Sequence, residues 1–339
     1  MPKVRVAVVM GGRSSEHEIS LASARSVLDG LDSARYETVT VEIGRDGRWE
    51  LGSGGHQELE RDGRSAAETL PVPTSQVPAT LAEVDVVFPV LHGPFGEDGT
   101  VQGLLELANV PYVGAGVTAS ALCMDKDLFK SVLRDHDVPV TRSVTLRKPE
   151  GFDNPFGFPV FVKPARLGSS VGITKARSDD ELRAGIELAF RHDEKVLVEE
   201  FVSGIEVECS VLGNEEPIAS IPGEIVANSD WYDYSAKYDE GGMDLVVPPR
   251  IPQEAIERVQ DLSVQAFRVT ECEGMARADC FVREDGEVLI NELNTIPGFT
   301  ATSVYAKLFE ASGIPYDELL ERLVQLALER HERRSQLRF

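Results

Sequence analysis

The sequence predicts a mixed α/β protein that begins with a domain built on a parallel sheet. Residues 4–10 form a short run of apolar, mostly β-branched side chains, which is typical of a buried strand. A polar, glycine-led loop over residues 11–18 follows, and apolar residues then recur at helical spacing up to Leu31. Residues 37–43 have the pattern of a second strand. The order strand, loop, helix, strand predicts a parallel α/β unit.

The composition is that of an ordinary globular protein and argues against one class of partner. The chain has 339 residues, of which 42% are apolar and 27% charged, so two or three domains are expected. Its net charge of −23 argues against nucleic-acid binding, which needs a basic face. The charge does not exclude an anionic substrate, because salt screens distant charges and leaves phosphate binding to local cations.

The cysteines and the apolar runs predict a cytoplasmic protein. The four cysteines show neither metal-ligand spacing nor a disulfide framework, and we interpret them as buried thiols in a reducing compartment. The apolar run near the N-terminus is too short for a signal peptide. No run approaches the roughly 20 apolar residues that a membrane span requires.

Further elements follow along the first half of the chain. Residues 44–83 show no clear period and are interpreted as an elaborated connection. A strand over residues 84–90 precedes a loop over residues 92–99, and helices are predicted over residues 100–108 and 118–134.

The second half predicts two hairpins separated by a helix. A strand ends at Lys163, a loop rich in Gly and Ser covers residues 168–172, and residues 173–175 restart a strand, so this loop reads as a hairpin lid. The remaining predicted elements are strands over 196–198 and 206–212, a polar loop over 223–250, a helix over 253–271, hairpin strands over 278–283 and 287–292, and helices over 303–312 and 316–333.

Three oxygen-bearing side chains lie on the second hairpin. Glu292 and Asn294 are two residues apart on one strand, so they point to the same face, roughly 6.6 Å apart. Pairing of the strands could bring Asp279 to that face. Two carboxylates and an amide oxygen are hard ligands suited to Mg²⁺, which would then bridge nucleotide phosphates. An exposed polar edge strand is the alternative.

An arginine and a turn adjoin this group. Pro297 and Gly298 form a turn in which the glycine can expose its N–H. Arg277 precedes Asp279 by two residues and shares its face. An arginine beside an exposed backbone N–H is what an oxyanion site requires. The alternatives are a turn without function and a surface salt bridge.

Two lysines lie in positions suited to phosphate. Lys163 precedes the glycine loop, and Lys126 lies early in the helix over 118–134. A lysine beside such a loop can clamp a phosphate, although each could equally be a solvated surface residue. The loop matches neither the Walker A pattern nor G-x-G-x-x-G. Since it lies between strands, it would cover phosphates from above.

Three further segments give weaker signals, and the function of each stays open when the segment is taken alone. Residues 199–202 follow a strand and could offer backbone groups to an adenine edge, with Glu206 reaching a ribose. Residues 231–238 contain four of the nine Trp and Tyr residues, which suits either an active-site lid or a self-packed Ω-loop. Glu16 could bind an ammonium group; its loop could instead hold a dinucleotide, but the three-glycine spacing is missing.

Taken in order, six motifs resemble those of the D-alanine–D-alanine ligases of the ATP-grasp superfamily, and they span nearly the whole chain. They are GGRSSEHEIS at 11–20, LHG with GEDGT at 91–100, MDK at 124–126, VKP with GSSVG at 162–172, YDYSAKY at 232–238 and NELNTIPG at 291–298. The last motif suggests the superfamily, and the first and the Tyr-rich motif narrow it to this family.

The resemblance implies a fold and three domains. It implies an ATP-grasp fold preceded by a parallel-sheet α/β domain. The domains would be an N-terminal substrate-binding domain over residues 1–114, a central lid domain over residues 115–198 and a C-terminal catalytic domain over residues 199–339.

The resemblance also implies which residues handle the amino acids. Glu16 would bind the ammonium of the first D-alanine and would be oriented with Ser169 and Tyr238, while Arg277 and the Gly298 N–H would stabilise the tetrahedral intermediate. Ser303 and Val304 would hold the carboxylate of the second D-alanine, and His92 would lie near the substrates.

A further set is implied for ATP and metal. Lys126, Lys163 and Lys237 would contact the phosphates, Glu199 and Glu206 the adenine and ribose, and the hinge of Glu200, Phe201 and Val202 the adenine. Asp279, Glu292 and Asn294 would hold two Mg²⁺ or Mn²⁺ ions.

The activity implied is ATP-dependent joining of two D-alanines through a D-alanyl phosphate, for peptidoglycan precursor synthesis, in a homodimer. The nearest alternative is a sister ligase that makes D-Ala-D-Ser or D-Ala-D-lactate; Tyr238 argues against lactate. Another is an ATP-grasp ligase for a different acid, against which Glu16 and the Tyr-rich loop argue. A non-catalytic nucleotide sensor should lack part of the metal set, which is complete here.

Overall fold

The computed structural model describes residues 2–52, 70–72, 81, 83–227 and 243–338, and within them the chain forms three β-sheets. Each sheet is built from a successive stretch of sequence with helices packed around it. The mixed α/β class predicted from the sequence is therefore confirmed. The domain boundaries after residues 114 and 198 stay predictions.

The first sheet contains the predicted parallel unit. Its elements are β1 (Val4–Gly11), α1 (His17–Gly30), β2 (Tyr36–Ile43), β3 (Trp49–Gly52), β4 (Leu70–Val72) and β5 (Val86–Pro89), in the strand order β4-β3-β2-β1-β5. Strand β1 is parallel to β2 and to β5, so Val8 lies between Thr40 and Phe88. Strands β3 and β4 are antiparallel additions that lie within the supposedly aperiodic residues 44–83. Such short edge strands depend on pairing rather than on a local period, so the sequence did not predict them.

One predicted helix is in fact two. After α2 (Thr100–Ala108), which has the predicted bounds, the chain forms α3 (Val117–Met124) and α4 (Lys126–Asp135) in place of a single helix over 118–134. Asp125 has a non-helical backbone (φ −86°, ψ 94°), and its carboxylate accepts the Leu128 N–H at 3.2 Å as a cap. The Lys126 N–H donates to Ala165 O at 3.0 Å instead of to a helical carbonyl. The break therefore fixes Lys126 beside the glycine loop.

The second sheet carries that loop. Its elements are β6 (Ser143–Leu146), β7 (Val160–Pro164), β8 (Thr174–Ala176), α5 (Asp179–Ala189) and β9 (Val196–Glu200), in the antiparallel order β6-β9-β7-β8. Because β7 and β8 pair directly, the loop between them is a hairpin connection, as predicted.

The third sheet carries the second hairpin. Its strands are β10 (Ile205–Gly213), β11 (Ile218–Ala219), β12 (Gly223–Ala227), β13 (Met243–Val246), β14 (Gly274–Val282) and β15 (Val288–Asn294), and the helices are α6 (Gln253–Val269), α7 (Val304–Ala311) and α8 (Tyr316–Ser335). Strands β12 and β13 pair with each other, so the ends of the predicted polar loop over 223–250 are strands. No helix in the described parts of the chain is both long and apolar enough to cross a membrane.

The end of the chain packs on its beginning. Phe299, Tyr305 and Leu323 share one buried cluster with Val8 and Phe88, and the rings of Phe88 and Phe299 lie 5.5 Å apart. Each such side chain contributes about 1.5–3 kcal/mol on burial. This packing places the loop that follows β15 against the first sheet. The four cysteines are buried and free, as predicted.

Candidate active site

Two neighbouring cavities collect most of the residues that the sequence singles out. Their volumes are about 460 Å³ and 270 Å³, and their junction is formed by Lys126, Leu167, Gly168, Ser169 and Glu292, which line both. The larger cavity is also lined by Glu16, His92, Arg277, Asn294, Gly298, Ser303 and Val304, and the smaller one by Lys163, Glu199, Glu200, Phe201, Val202 and Glu206. Asp279 is buried beside Arg277, and Lys237 and Tyr238 lie outside the described residues.

Glu16 lines the larger cavity and contacts the junction residue Ser169. It directly precedes α1, and its side chain is only 7% exposed. The hydroxyl of Ser169, on the glycine loop of the second sheet, donates a hydrogen bond to the Glu16 carboxylate. A carboxylate at a helix N-terminus is stabilised as an anion, and it can still receive a small cation from the cavity. The pair therefore links the first sheet to the hairpin loop.

The second hairpin brings its polar residues together as the sequence predicts. Asp279 lies opposite Glu292, and Arg277 lies opposite Asn294. The Arg277 guanidinium donates to both Asp279 oxygens at 2.7 and 2.8 Å, and the Asn294 amide donates to the same carboxylate at 3.0 Å. A bulge follows Asp279 and interrupts the register there.

The predicted metal ligands are oxygen donors that lie close together on paired strands. Within the described residues, no group of three or more His, Cys, Asp or Glu side chains is arranged to hold a metal ion. The predicted donors are two carboxylates and one amide, Asp279, Glu292 and Asn294, which are close neighbours on paired strands. These are hard oxygen donors of the kind that leaves room for phosphate oxygens and water around Mg²⁺. The donor chemistry therefore fits a magnesium site that a nucleotide helps to complete.

Glu208 belongs to this group but was not predicted. It lies on β10 directly opposite Asp279, is 2% exposed, and forms an ion pair with the Arg277 guanidinium at 2.8 Å. Arg277 is thus held between two buried carboxylates. The sequence does contain a signal for Glu208. It lies two residues after Glu206 on one strand, so the two side chains point to the same face.

The two lysines are not solvated surface residues. Lys126 is 7% exposed, donates to Leu167 O at 2.8 Å and pairs with Glu292 at 3.2 Å. Lys163 is 9% exposed and pairs with the Glu199 carboxylate. Burial acts to lower the pKa of Lys163, but Glu199 and Glu292 raise it above its usual value. Lys126 therefore lies at the junction of the cavities, and Lys163 is a cation in the wall of the smaller cavity.

Glu199 is the centre of a buried charge network. Its carboxylate accepts from the ammonium groups of Lys163 and Lys130 and, at 3.0 Å, from the Thr141 hydroxyl. Burial acts to raise the pKa of Glu199, but the two lysines lower it to about 2, so the carboxylate is ionised. Lys130 was missed from the sequence, although it follows Lys126 by one helical turn on α4.

The smaller cavity has an aromatic and apolar wall at the predicted hinge. The Phe201 ring lies 6.1 Å from the Phe161 ring, and the Lys175 ammonium lies 4.2 Å from the centre of Phe201. Glu200 turns its carboxylate to Arg142, with contacts at 2.8 and 2.6 Å. The hinge therefore offers a flat aromatic surface, with the Glu200 side chain occupied by an arginine.

Glu97 is a second acid of the larger cavity that was not among the predicted site residues. It accepts from Gly93 N at 2.9 Å and from Ile296 N at 3.4 Å. Burial, and then the charge of Glu16, raise the pKa of Glu97 to about 8, against which these two N–H groups act weakly. A protonated Glu97 adds no negative charge beside Glu16 at neutral pH.

Comparison with known proteins matches the whole chain. The family model described as D-ala D-ala ligase N-terminus matches residues 5–115, and the one described as D-ala D-ala ligase C-terminus matches residues 132–325. The D-alanine--D-alanine ligase of Solibacter usitatus is 47% identical over 99% of each chain. The D-alanine--D-alanine ligase A of Escherichia coli K12 is 44% identical over 98% of this chain and 97% of that protein.

Solved structures agree with the sequence matches. The D-alanine-D-alanine ligase from Coxiella burnetii has a TM-score of 0.84 and 36% identity over 98% of each chain. The VanG D-Ala:D-Ser ligase from Enterococcus faecalis has a TM-score of 0.86 and 37% identity over 96% of this chain and 100% of that one. The fold is thus that of an ATP-grasp ligase. More particularly, the chain belongs to the D-alanine–D-alanine ligase family, as its six motifs predicted.

Proposed function

We propose that this chain joins two molecules of D-alanine, with conversion of ATP to ADP and phosphate, through a D-alanyl phosphate intermediate. The observation that carries the proposal is the junction of the two cavities. Glu16 lines the larger cavity and accepts a hydrogen bond from Ser169, which lines both cavities together with Lys126 and Glu292. An amino acid and a nucleotide bound in the two cavities would meet at this point. The product would serve peptidoglycan precursor synthesis.

The larger cavity suits two amino acids. The Glu16 carboxylate would receive the ammonium of the first D-alanine, with Ser169 and the predicted Tyr238 orienting it. Ser303 occupies the N-cap position of α7, whose first residue is Val304. A helix N-terminus presents unpaired N–H groups and favours an anion, so these residues suit the carboxylate of the second D-alanine.

The smaller cavity suits ATP. The Phe201 ring and Val202 would receive the adenine, and Glu206 would reach the ribose. Glu199 would act on the nucleotide indirectly, through Lys163, with whose ammonium it forms an ion pair. Lys126 is buried at the junction, where the transferred phosphate would lie, and Lys163 is buried in the wall of the smaller cavity. Lys237 would complete the phosphate contacts.

Asp279, Glu292 and Asn294 would hold two Mg²⁺ or Mn²⁺ ions. A divalent ion at these oxygens would neutralise charge on the phosphates during transfer. Glu292 also pairs with Lys126, so the same carboxylate would contact both this lysine and the predicted metal ion.

The reaction consists of two substitutions. A carboxylate oxygen of the first D-alanine attacks the γ-phosphorus, and ADP leaves. The amine of the second D-alanine, after losing a proton, attacks the acyl carbon, and phosphate leaves with the oxygen that had attacked. Arg277 and the Gly298 N–H would stabilise negative charge on the acyl oxygen between these bond changes. Closure of the site would protect the acyl phosphate from water.

A D-Ala-D-Ser ligase is the second candidate, and the similarity of the chain to the VanG structure favours it. The two activities share the first substrate and differ only at the second position. The choice between them therefore depends on the region around Ser303 and Val304. The homodimer and the cytoplasmic location implied by the family remain predictions.

In the presence of ATP and Mg²⁺, we expect release of ADP with D-alanine but not with L-alanine. The same assay with D-alanine plus D-serine or D-lactate, followed by mass analysis of the products, should give D-Ala-D-Ala as the main product. A mainly D-Ala-D-Ser product would assign the second candidate instead. Absence of D-alanine-dependent turnover over a neutral to mildly alkaline pH range would refute both.

A further inference from the structure

A chain of hydrogen bonds ties the loop after β15 to the first sheet. The Phe299 N–H donates to the Ser23 hydroxyl at 3.3 Å, and that hydroxyl lies 3.2 Å from Nε2 of His92. On the other side of the ring, Nδ1 of His92 lies 3.0 Å from Ile296 O. The hydrogen bonds thus contact the loop at two positions, Phe299 and Ile296.

The partners fix the direction of every bond. Ile296 O is a carbonyl oxygen and can only accept, so Nδ1 of His92 must carry a proton. Ser23 already accepts from Phe299 N–H, so its own proton is free to be donated to Nε2. The sequence of donors is therefore Phe299 N–H to Ser23, Ser23 O–H to Nε2, and Nδ1–H to Ile296 O. A charged ring would also form the three contacts, by donating from Nε2 to the second lone pair of Ser23, but the Ser23 O–H would then lose its acceptor. The neutral imidazole with its proton on Nδ1 is the form in which every donor of the three contacts has a partner.

The surroundings agree with a neutral ring. His92 is 4% exposed, and Ser23 and Phe299 are fully buried. Burial lowers the pKa of His92, against the nearby charge of Glu16. Glu97, from the same loop as His92, accepts the Ile296 N–H at 3.4 Å. Ile296 is therefore held through both its carbonyl and its amide by residues of the first sheet's loops.

The held residues flank the predicted oxyanion donor. Gly298 lies between Ile296 and Phe299, which are the two residues that the chain of hydrogen bonds fixes. We propose that Ser23 and His92 are positioning residues that fix the Gly298 N–H, with His92 acting as a neutral Nδ1–H imidazole rather than as a general acid or base. This inference rests on the proposed function. A backbone donor misplaced by about 1 Å can lower a rate roughly 100-fold.

A second serine, Ser20, provides a matched control for Ser23. Ser20 lies on the same helix and is also fully buried, and its hydroxyl bonds Gly11 N and Val90 O inside the first sheet. Ser23→Ala and Ser20→Ala both leave buried polar partners, so both should lower the free energy of unfolding to a similar extent. Only Ser23→Ala breaks the connection to the Gly298 loop.

We expect Ser23→Ala to lower kcat for dipeptide formation roughly tenfold to 100-fold with little change in KM for ATP. Ser20→Ala should keep kcat within about twofold of the wild type, despite a similar loss of stability. Equal kcat values for the two variants at equal stability would overturn the proposal.

A spectroscopic measurement separates this inference from the activity. In ¹⁵N-histidine-labelled protein, with His92→Asn used to assign the signal, Nδ1 of His92 should be protonated and Nε2 should not, at neutral pH. A charged ring, or a proton on Nε2, would overturn the inference whether or not the protein forms a dipeptide. Conversely, the expected tautomer in a protein that is inactive with D-alanine would leave the hydrogen-bond chain intact and refute the proposed function alone.

Discussion

Replacing Asp279 with asparagine is expected to lower kcat roughly 100- to 1000-fold, which corresponds to about 3–4 kcal/mol of lost transition-state stabilisation. The substitution removes one charge from a group that contains Arg277, Glu208 and Asn294. It weakens the predicted metal position and at the same time loosens Arg277. Because we propose that ATP binds mainly in the smaller cavity, its KM should change much less than kcat.

The concentration of Mg²⁺ that gives half-maximal rate distinguishes these two effects. We expect it to rise in Asp279→Asn, as measured by initial rates at several Mg²⁺ concentrations. Asp285→Asn, in the exposed turn of the same hairpin, is the matched control, since its carboxylate accepts from Glu287 N and an amide can do the same. Unchanged kcat and Mg²⁺ dependence in Asp279→Asn would remove Asp279 from the metal site.

Replacing Glu199 with glutamine is expected to lower the free energy of unfolding by about 3–5 kcal/mol, because Lys130 and Lys163 would then be buried without a counter-charge. Chemical denaturation measures this loss. Glu194→Gln is the control, since that side chain is 80% exposed and pairs with Arg166 on the surface. A second substitution, Lys130→Met, should restore part of the stability by removing one of the stranded charges.

The same variant predicts a pH dependence. The ordinary pKa of this carboxyl is 4.5, and in the folded protein it is lowered to about 2. An acid with a lowered folded pKa stabilises the protein fully above its unfolded pKa, and this stabilisation is lost as the pH falls toward the folded value. The stability difference between wild type and Glu199→Gln should therefore shrink below about pH 4.5. A difference that stays constant down to the acid limit of folding would contradict an ionised Glu199.

Local patterns predicted the elements of the fold well where they carry their own period. The parallel strands, the α2 helix and both hairpins follow directly from runs of apolar residues and turn residues. The break at Asp125 did not, because an aspartate inside an apolar pattern caps a second helix only when the Lys126 N–H finds another acceptor, here Ala165. That acceptor lies about 40 residues further along the chain.

The site residues, too, could be predicted where a local pattern or a motif marks them. Strand alternation was enough to place Asp279, Glu292 and Asn294 together, and motif resemblance brought Glu16 and Ser169 into one site. The sequence analysis did not identify the partners that hold these residues. Spacing places Glu208 on the face of Glu206 and Lys130 one turn after Lys126, but spacing does not show which residues they contact. The ion-pair partners of Glu208 and Lys130, and the hydrogen-bond partners of Ser23, lie 69 positions or more away in the sequence.

Transfer of an oxygen isotope from D-alanine to phosphate reports directly on the D-alanyl phosphate intermediate. D-Alanine labelled with ¹⁸O in both carboxylate oxygens is incubated with the protein, ATP and Mg²⁺, and the released phosphate is analysed by mass. Ligation through D-alanyl phosphate transfers one labelled oxygen to each phosphate, because the oxygen that attacks phosphorus leaves with it. We predict one ¹⁸O in the phosphate for each D-Ala-D-Ala formed. Phosphate without label would contradict an acyl phosphate formed where the two cavities meet.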